Sequence, residues 1–383
     1  MLAGCGGGSD GSQGSGGSGS SEPVKVGLVT SKTGPLASYG QQYLEGFKVG
    51  LDYATDGTGE VGGREVEITE RDDAGDPAKA VSATKDLIGQ GYTILGGTVS
   101  SGVALQVAPL AEQNQVLYIS GPAATDEITG INDYTFRSGR QSYQDVKTAS
   151  TFIGGADGKK VTVFAQDSTF GQANVAAVES VLGEQGASVD SILVPESAND
   201  FVPFAQQARQ AAPDLLFVAW AGTSASSMWK SMDQQGVFDA TTVVTGLDIQ
   251  ASYPTFGPAA EKIDFLSQYF SSAPDNEVNQ ALVDGLAEQD KQPDLFHPDG
   301  FVAAQMVVRA LEEGSPEDVD SMAGALEGWS FSAPKGEQTV RASDHAMLQP
   351  MFQAALTKSG DSFEPELVET IAADQVAPPE ASE

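Results

Sequence analysis

The sequence predicts an α/β protein of two doubly wound halves, each a parallel sheet covered by helices on both faces. Three observations carry this. Short apolar strands alternate with amphipathic helices from Val24 onward, the alternation restarts after Arg137, and 383 residues suffice for two domains with proper cores.

In the first half, Val24 to Thr30 reads as a strand, and Leu44, Phe47 and Leu51 follow at helical spacing. Val66 and Ile68 alternate with acids in a second strand. Pro77 opens a helix with Val81, Thr84 and Ile88 on one face and Asp76 as its cap. The cycle continues through a strand at 93–95, a helix carrying Val103, Val107 and Leu110, and a strand at 116–120. In the second half, residues 160–165, 189–194, 215–219 and 242–245 read as strands, with helices near 171–185, 201–211 and 224–235. Helices at 279–290 and 299–311 and a strand at 351–356 close the pattern, and the acidic, Pro-rich end from Asp374 reads as disordered.

The N-terminus reads differently. Leu2-Ala3-Gly4-Cys5 has the form of a bacterial lipobox and runs into a Gly/Ser tract ending at Ser21. In such a motif the Cys thiol carries lipid, so the mature chain is expected to begin at Cys5 and to be held at a membrane. The tract cannot bury enough apolar area to offset its backbone entropy and reads as a flexible tether, about 20 to 25 Å in r.m.s. length. The other reading of Cys5 is a free thiol in a disordered tail. As the sole Cys it leaves no disulfide and no Cys cluster for zinc or iron–sulfur.

Charge narrows the partners. Twenty Lys and Arg stand against 53 Asp and Glu, a net charge of −33, which repels a phosphate backbone and disfavours adsorption to anionic lipid. The longest apolar run, at 215–221, is far shorter than a spanning helix needs.

Enzyme chemistry finds little support. His297 and His345 are the only histidines and share no metal-ligand spacing, no G-x-S-x-G elbow occurs, and Ser31-Lys32-Thr33 lacks the glycines of a P-loop. Asp72 and Asp73 point to opposite sides of an extended segment and read as loop anchors. No metal or other cofactor is expected.

Open parallel sheets bind ligands beyond the carboxyl ends of their strands. Two loops fit, Thr98-Val99-Ser100-Ser101-Gly102 and Ser120-Gly121-Pro122-Ala123-Ala124-Thr125, each offering hydroxyls and amides to an anion such as a carboxylate. Taken singly, each also reads as an ordinary turn and helix cap.

The run Val26-Gly27-Leu28, then Thr33-Gly34-Pro35-Leu36-Ala37-Ser38-Tyr39-Gly40, resembles the opening of the branched-chain amino acid (Leu/Ile/Val) solute-binding proteins of ABC importers. Asp72-Asp73 with Asp76-Pro77, Ser100-Ser101, Ala123-Ala124-Thr125, Asp167 through Phe170-Gly171, and Gln235-Gly236 recur in that family's order. The resemblance covers nearly everything from Val24 to about Leu356. It implies a type I periplasmic-binding fold: two Rossmann-like lobes, 24–140 with 271–341 and 141–270 with 342–373, joined by a three-crossover hinge, before a tail at 374–383.

Carried over residue by residue, Ser100 or Ser101 and Thr125 would bind the ligand carboxylate, with backbone at Ala123 and Ala124. Tyr39 and Phe170 stand at aromatic pocket positions, the Trp220-Ala221-Gly222 segment lines the second lobe, and Asp248 falls where the family often pairs an acid with the ligand ammonium. Tyr39, Phe170 and Trp220 also suit core packing. Where many relatives carry an Asp after the Arg of the Arg137 strand, this chain has Ser138-Gly139-Arg140-Gln141, and Ala221 falls close to where amino acid binders of the family carry an aromatic residue. Arg140 then either faces a second carboxylate or lies at the surface.

The resemblance therefore implies a monomeric, lipid-anchored, extracytoplasmic receptor, not an enzyme. It would capture a small amino acid or related carboxylate or amide and hand it to an ABC permease and its ATPase. A sensor of the same fold, reporting amide or amino acid levels to a partner protein, is the rival reading; a hydrolase is a distant third.

Overall fold

The computed structural model describes residues 22–360 and 362–381, so Cys5 and the Gly/Ser tract lie outside the described residues. The first sheet gathers β1 (Val24–Thr30), β2 (Glu60–Val61), β3 (Arg64–Asp72), β4 (Ile94–Gly96), β5 (Leu117–Ser120) and β6 (Thr135–Arg137) in the order β2-β3-β1-β4-β5-β6. All its pairs are parallel except the β2–β3 hairpin. Helices α1 (Ala37–Ala54), α2 (Pro77–Gly89) and α3 (Ser101–Asn114) connect its strands, and Asp76 caps α2 by accepting from the amides of Ala78 and Lys79, as its place before Pro77 predicts.

After the short α4 (Ser142–Ala149) a second sheet begins with β7 (Lys160–Gln166), β8 (Ser188–Val194), β9 (Leu215–Ala219), β10 (Thr242–Gly246) and β11 (Ile263–Ser267). Its helices are α5 (Thr169–Val178), α6 (Val202–Ala211), α7 (Ala225–Gln234) and the one-turn α8 (Tyr253–Phe256). The chain then returns to the first lobe as α9 (Glu277–Ala287), α10 (His297–Glu313), α11 (Val319–Leu326) and a small sheet of β12 (Ser330–Ala333), β13 (Gly336–Val340) and β14 (Met347–Leu348). It re-enters the second lobe as β15 (Met351–Ser359) and β16 (Ser362–Ile371), which extend β11 antiparallel and give the order β16-β15-β11-β10-β9-β7-β8. The two-lobed α/β architecture expected from the sequence is present, with an antiparallel edge on the second sheet.

The lobes are linked after β6, after β11 and after β14. Because β14 still pairs with β13, the third crossing falls at Gln349 and Pro350, later than the 341/342 boundary expected from the sequence. The C-terminal end also differs from the expected disorder. Val376 is fully buried with Met351 and Ile371, Arg341 donates to the carbonyls of Pro378 and Pro379, and the Ala381 amide donates to Asp344. Composition misjudged this segment because one apolar side chain and backbone groups, rather than a periodic apolar face, hold it down.

Packing in the first lobe turns on α1 against α10. Tyr43 and Phe47 of α1 are completely buried, and glycines bring the two backbones together. A β-carbon on Gly46 would lie 1.9 Å from the His297 carbonyl oxygen, and one on Gly300 1.9 Å from that of Tyr43. The contact has no room for a methyl group. Gly46→Ala should therefore lower the unfolding free energy in urea by about 1 to 3 kcal/mol or more. Gly89→Ala, in α2 with nothing within 4 Å of the added carbon, should be neutral or slightly stabilising. Equal midpoints for the two variants would refute the close-packing account.

Candidate functional site

The carboxyl ends of both sheets face a shared cleft of about 480 Å³. From the first lobe it takes the loop after β1 and the start of α1, the loop after β4 leading into α3, and the loop after β5. From the second it takes the loops after β7, β9 and β10. Asp72 and Asp73 pin the first-lobe loops, as expected of anchors. Asp72 accepts from the Thr33 hydroxyl at 2.6 Å and from the amides of Lys32, Thr33 and Ala74. Its slight burial works the other way, yet these bonds hold its carboxyl down to about 2. Asp73 joins two loops by accepting from the hydroxyls of Ser31 and Thr98 at 2.6 and 2.5 Å.

Hydrogen bonds of Tyr39 and Gln250 span the cleft. Tyr39, in the first turn of α1, donates its hydroxyl to Asp248 Oδ1 at 2.7 Å and accepts from the Gly222 amide at 3.3 Å, both in the second lobe. Its ring packs on Phe296 at a centroid distance of 4.6 Å. Further along the rim, the Gln250 amide donates to the Asp294 carboxylate, and the Gln250 side chain to the Pro293 carbonyl at 3.0 Å. The lobes are thus closed on one another. Burial pushes the Tyr39 phenol well above its usual range, and the neighbouring Asp248 adds to this.

Asp248 itself is raised by burial, against the bonds it accepts from Tyr39, Ile249 and Ser252. Among the described residues it has no ion-pair partner, whereas Arg140 is paired with Asp145, Nε to carboxylate at 3.2 Å. Arg140 also donates to the Pro122 carbonyl at 2.9 Å. Burial raises the Asp145 carboxyl despite that pairing. Of the two readings open for Arg140, the structure places it in the cleft wall and not at the surface, while Gln141 stays outside, capping α4 and donating to Asp126 at 2.6 Å.

Of the residues expected from the sequence, Tyr39, Ser100, Ser101 and Ala124 line the cleft from the first lobe, and Phe170, Trp220, Ala221 and Asp248 from the second. Ser100 is the N-cap of α3 but makes no side-chain cap bond, so its hydroxyl and the first amides of α3 are left without an intrahelical partner. Ser101 Oγ accepts from the Thr125 amide at 3.2 Å. Trp220 serves both roles foreseen for it, stacking on Phe164 in the second-lobe core while lining the cleft.

Ala123 and Thr125 correct the expectation. Both are buried behind the wall and absent from the lining. Arg137 claims their carbonyls at 2.8 and 3.2 Å, and the Thr125 hydroxyl caps a short turn by accepting from the Glu127 amide. Leu36, Asp145, Gln268, Leu295 and Phe296 line the cleft without having been singled out. Phe296 lies far from Tyr39 in sequence and no periodicity links them; the Asp145 acid, five residues beyond Arg140, was the one available signal.

Tyr39→Phe keeps the ring against Phe296 and removes the bond that Tyr39 donates to Asp248 across the cleft. A hydrogen bond to a charged group contributes about 1.5 to 3 kcal/mol, so titration calorimetry should show ligand affinity reduced roughly tenfold or more. Unchanged affinity would mean that this bond does not help hold the lobes together.

The sequence profile of the family described as "Periplasmic binding protein" matches residues 23–361, and the chain belongs to that family. It is similar to the Leu/Ile/Val-binding protein BraC3 of Rhizobium johnstonii, 24% identical over 308 residues, 79% of this chain and 83% of that protein. It is also similar to the leucine-, isoleucine-, valine-, threonine-, and alanine-binding protein of Pseudomonas aeruginosa, 23% identical over 325 residues, 83% and 85% of the two chains. Among solved structures, an ABC-type branched-chain amino acid transporter from Rhodopseudomonas palustris is 30% identical, with a TM-score of 0.78 over 94% of this chain and all of that one. A solute-binding protein of an ABC transporter from the same species, in complex with 3,4-dihydroxy benzoic acid, is 24% identical, with a TM-score of 0.80 over 92% and 98% of the two chains. The resemblance read from the sequence therefore holds: this is a solute-binding protein of the ABC-transporter type. Among the described residues no helix is long and apolar enough to cross a membrane.

Proposed function

We propose that this protein is the extracytoplasmic receptor of an ABC importer and that its solute is an amino acid, bound as a zwitterion between the lobes and released to a permease and its ATPase without chemical change. The observation that carries the amino acid reading is the state of Asp248, a carboxylate raised by burial that lacks a cationic partner among the described residues. Arg140 and Asp145 neutralise each other and Glu196, the remaining acid of the lining, is exposed, so Asp248 is the buried acid left without a cation. A ligand ammonium supplies the missing cation. A plain carboxylate would add a second anion instead, and closure over it would leave both poorly solvated. The solute's own carboxylate fits Ser100, Ser101 and the start of α3, where unpaired amides and the helix dipole favour negative charge.

The sequence at Leu2-Ala3-Gly4-Cys5 supports a lipid anchor at Cys5, with the Gly/Ser tract as tether. Produced with a complete signal sequence, the protein should partition into detergent and Cys5→Ser should release it. Equal partitioning of the two would remove the anchor from the reading.

The solute class is tested by titration calorimetry with an amino acid and its deaminated analogue. Asp248→Asn should weaken the amino acid by tenfold or more and leave the analogue nearly unchanged; equal losses would make Asp248 structural. The pH dependence has a definite sign. A carboxyl raised by folding binds its proton more tightly in the native state, so without ligand its contribution to stability is greatest below the unfolded value and is lost as pH rises through the raised one. Pairing with an ammonium needs the ionised form, so amino acid affinity should fall as pH drops through that same raised value. Asp248→Asn should flatten this dependence.

A further inference from the structure

The cleft wall nearest the hinge carries two polar groups that no protein atom satisfies. Gln268 lines the cleft from the crossing after β11 and is only 3% exposed. Its Nε2 donates to the Leu295 carbonyl at 3.2 Å. A carbonyl can only accept, which fixes the orientation of the amide. Its Oε1 is buried and has no partner. Arg140 stands on the crossing after β6. Asp145 holds its Nε and the Pro122 carbonyl its Nη1, and Nη2 makes no hydrogen bond. Arg140 and Gln268 line the same cleft, and α4, which carries Asp145, packs on β11, the strand that leads to Gln268.

The neighbouring hydroxyls are already used. Ser267 Oγ donates to the Tyr269 carbonyl and accepts from its amide, and Thr245 Oγ1 donates to the Val218 carbonyl at 2.9 Å. What is open is one acceptor, Gln268 Oε1, and one donor, Arg140 Nη2. An aliphatic side chain closed against this wall would leave both unpaired. That is the situation in which a site built for hydrogen bonding rejects an analogue that lacks the group. A second carboxylate would suit Arg140, but it would meet the lone pairs of Gln268 and the paired Asp145 as a further negative charge.

We propose that this wall reads the far end of the solute, and that the solute is an amino acid whose side chain is uncharged and both accepts and donates, with a primary amide as the best match. Its carbonyl takes Arg140 Nη2 and its NH2 takes Gln268 Oε1. The proposal rests on the amino acid reading above and narrows it away from the branched-chain solutes named for the relatives.

Titration calorimetry of the full chain with L-glutamine, L-asparagine, L-glutamate and L-leucine tests it. At least one of the amide amino acids should bind about tenfold or more tighter than leucine and glutamate. Gln268→Leu should shrink the amide-to-leucine affinity ratio by tenfold or more, and so should Arg140→Met from the opposite side, with urea midpoints confirming that each variant is folded. Leucine binding as tightly as both amides, or variants that weaken all four ligands by the same factor, would overturn the proposal while leaving the amino acid reading intact. Failure of all four to bind, with binding of a deaminated acid, would overturn both readings.

Discussion

The buried guanidinium of Arg137 is the constraint on which the rest of the cleft depends. A fixed charge taken out of water has to be surrounded by acceptors, and this one reaches the carbonyls of Ala123, Thr125 and Arg140, the Thr129 hydroxyl and the Gln141 side chain. Burial lowers its pKa to about 10, with Asp126 opposing the shift, and at neutral pH it remains charged. Those acceptors belong to the loop after β5 and to the first hinge crossing, so one side chain sets the path of both. The same bonds draw Ala123 and Thr125 away from the cleft and leave Ala124 and Arg140 facing it. Deeper in the hinge, Lys335 and Asp299 form a fully buried pair at 2.9 Å, so the charges around Arg137 come as matched cations and acids.

Much of this fold was legible in the sequence, because the parallel strands are buried on both faces and leave continuous apolar runs. Residues 160–165 and 215–219 differ from the observed strands by a residue or less. The elements that escaped notice have other physical origins. The small sheet β12 to β14 alternates in burial over strands of five residues or fewer, and β16 is mostly exposed. Both pair as hairpins with a chain neighbour, Ala333 opposite Gly336 and Ser359 opposite Ser362, and backbone pairing over short or solvent-facing strands leaves no apolar run to read. The C-terminal end escaped for a related reason, since Arg341 and Asp344 hold its backbone and composition says nothing about backbone partners.

The site was legible where a residue's role follows from its place after a strand. Ser100 and Asp248 lie on loops at strand ends and Tyr39 and Phe170 in the first turn of the helix that follows a strand, and that is where the cleft is. It was not legible where the role depends on what a neighbour consumes. Nothing in the string Ala123-Ala124-Thr125 says which of the three Arg137 will bind, and nothing around Gln268 announces that Leu295 will take one end of its amide and leave the other open.

Asp248, the acid proposed to meet the solute's ammonium, also holds the lobes together through Tyr39, and this ties the proposed recognition to shape. Tyr39 meets Asp248 only when the cleft is shut, and shutting it withdraws the Asp248 carboxylate from water. The hydrogen bond offsets part of that desolvation but supplies no charge, so closure without a ligand disfavours the ionised form of Asp248. A solute that brings a cation to Asp248 removes the cost, whereas one that merely fills the space leaves it in place. A ligand shifts an equilibrium only by its differential affinity for the two states. A group that contributes more in the closed form than in the open one therefore does more for closure than equal affinity spread over one lobe. The chemistry of the cleft thus decides which solutes produce the closed form.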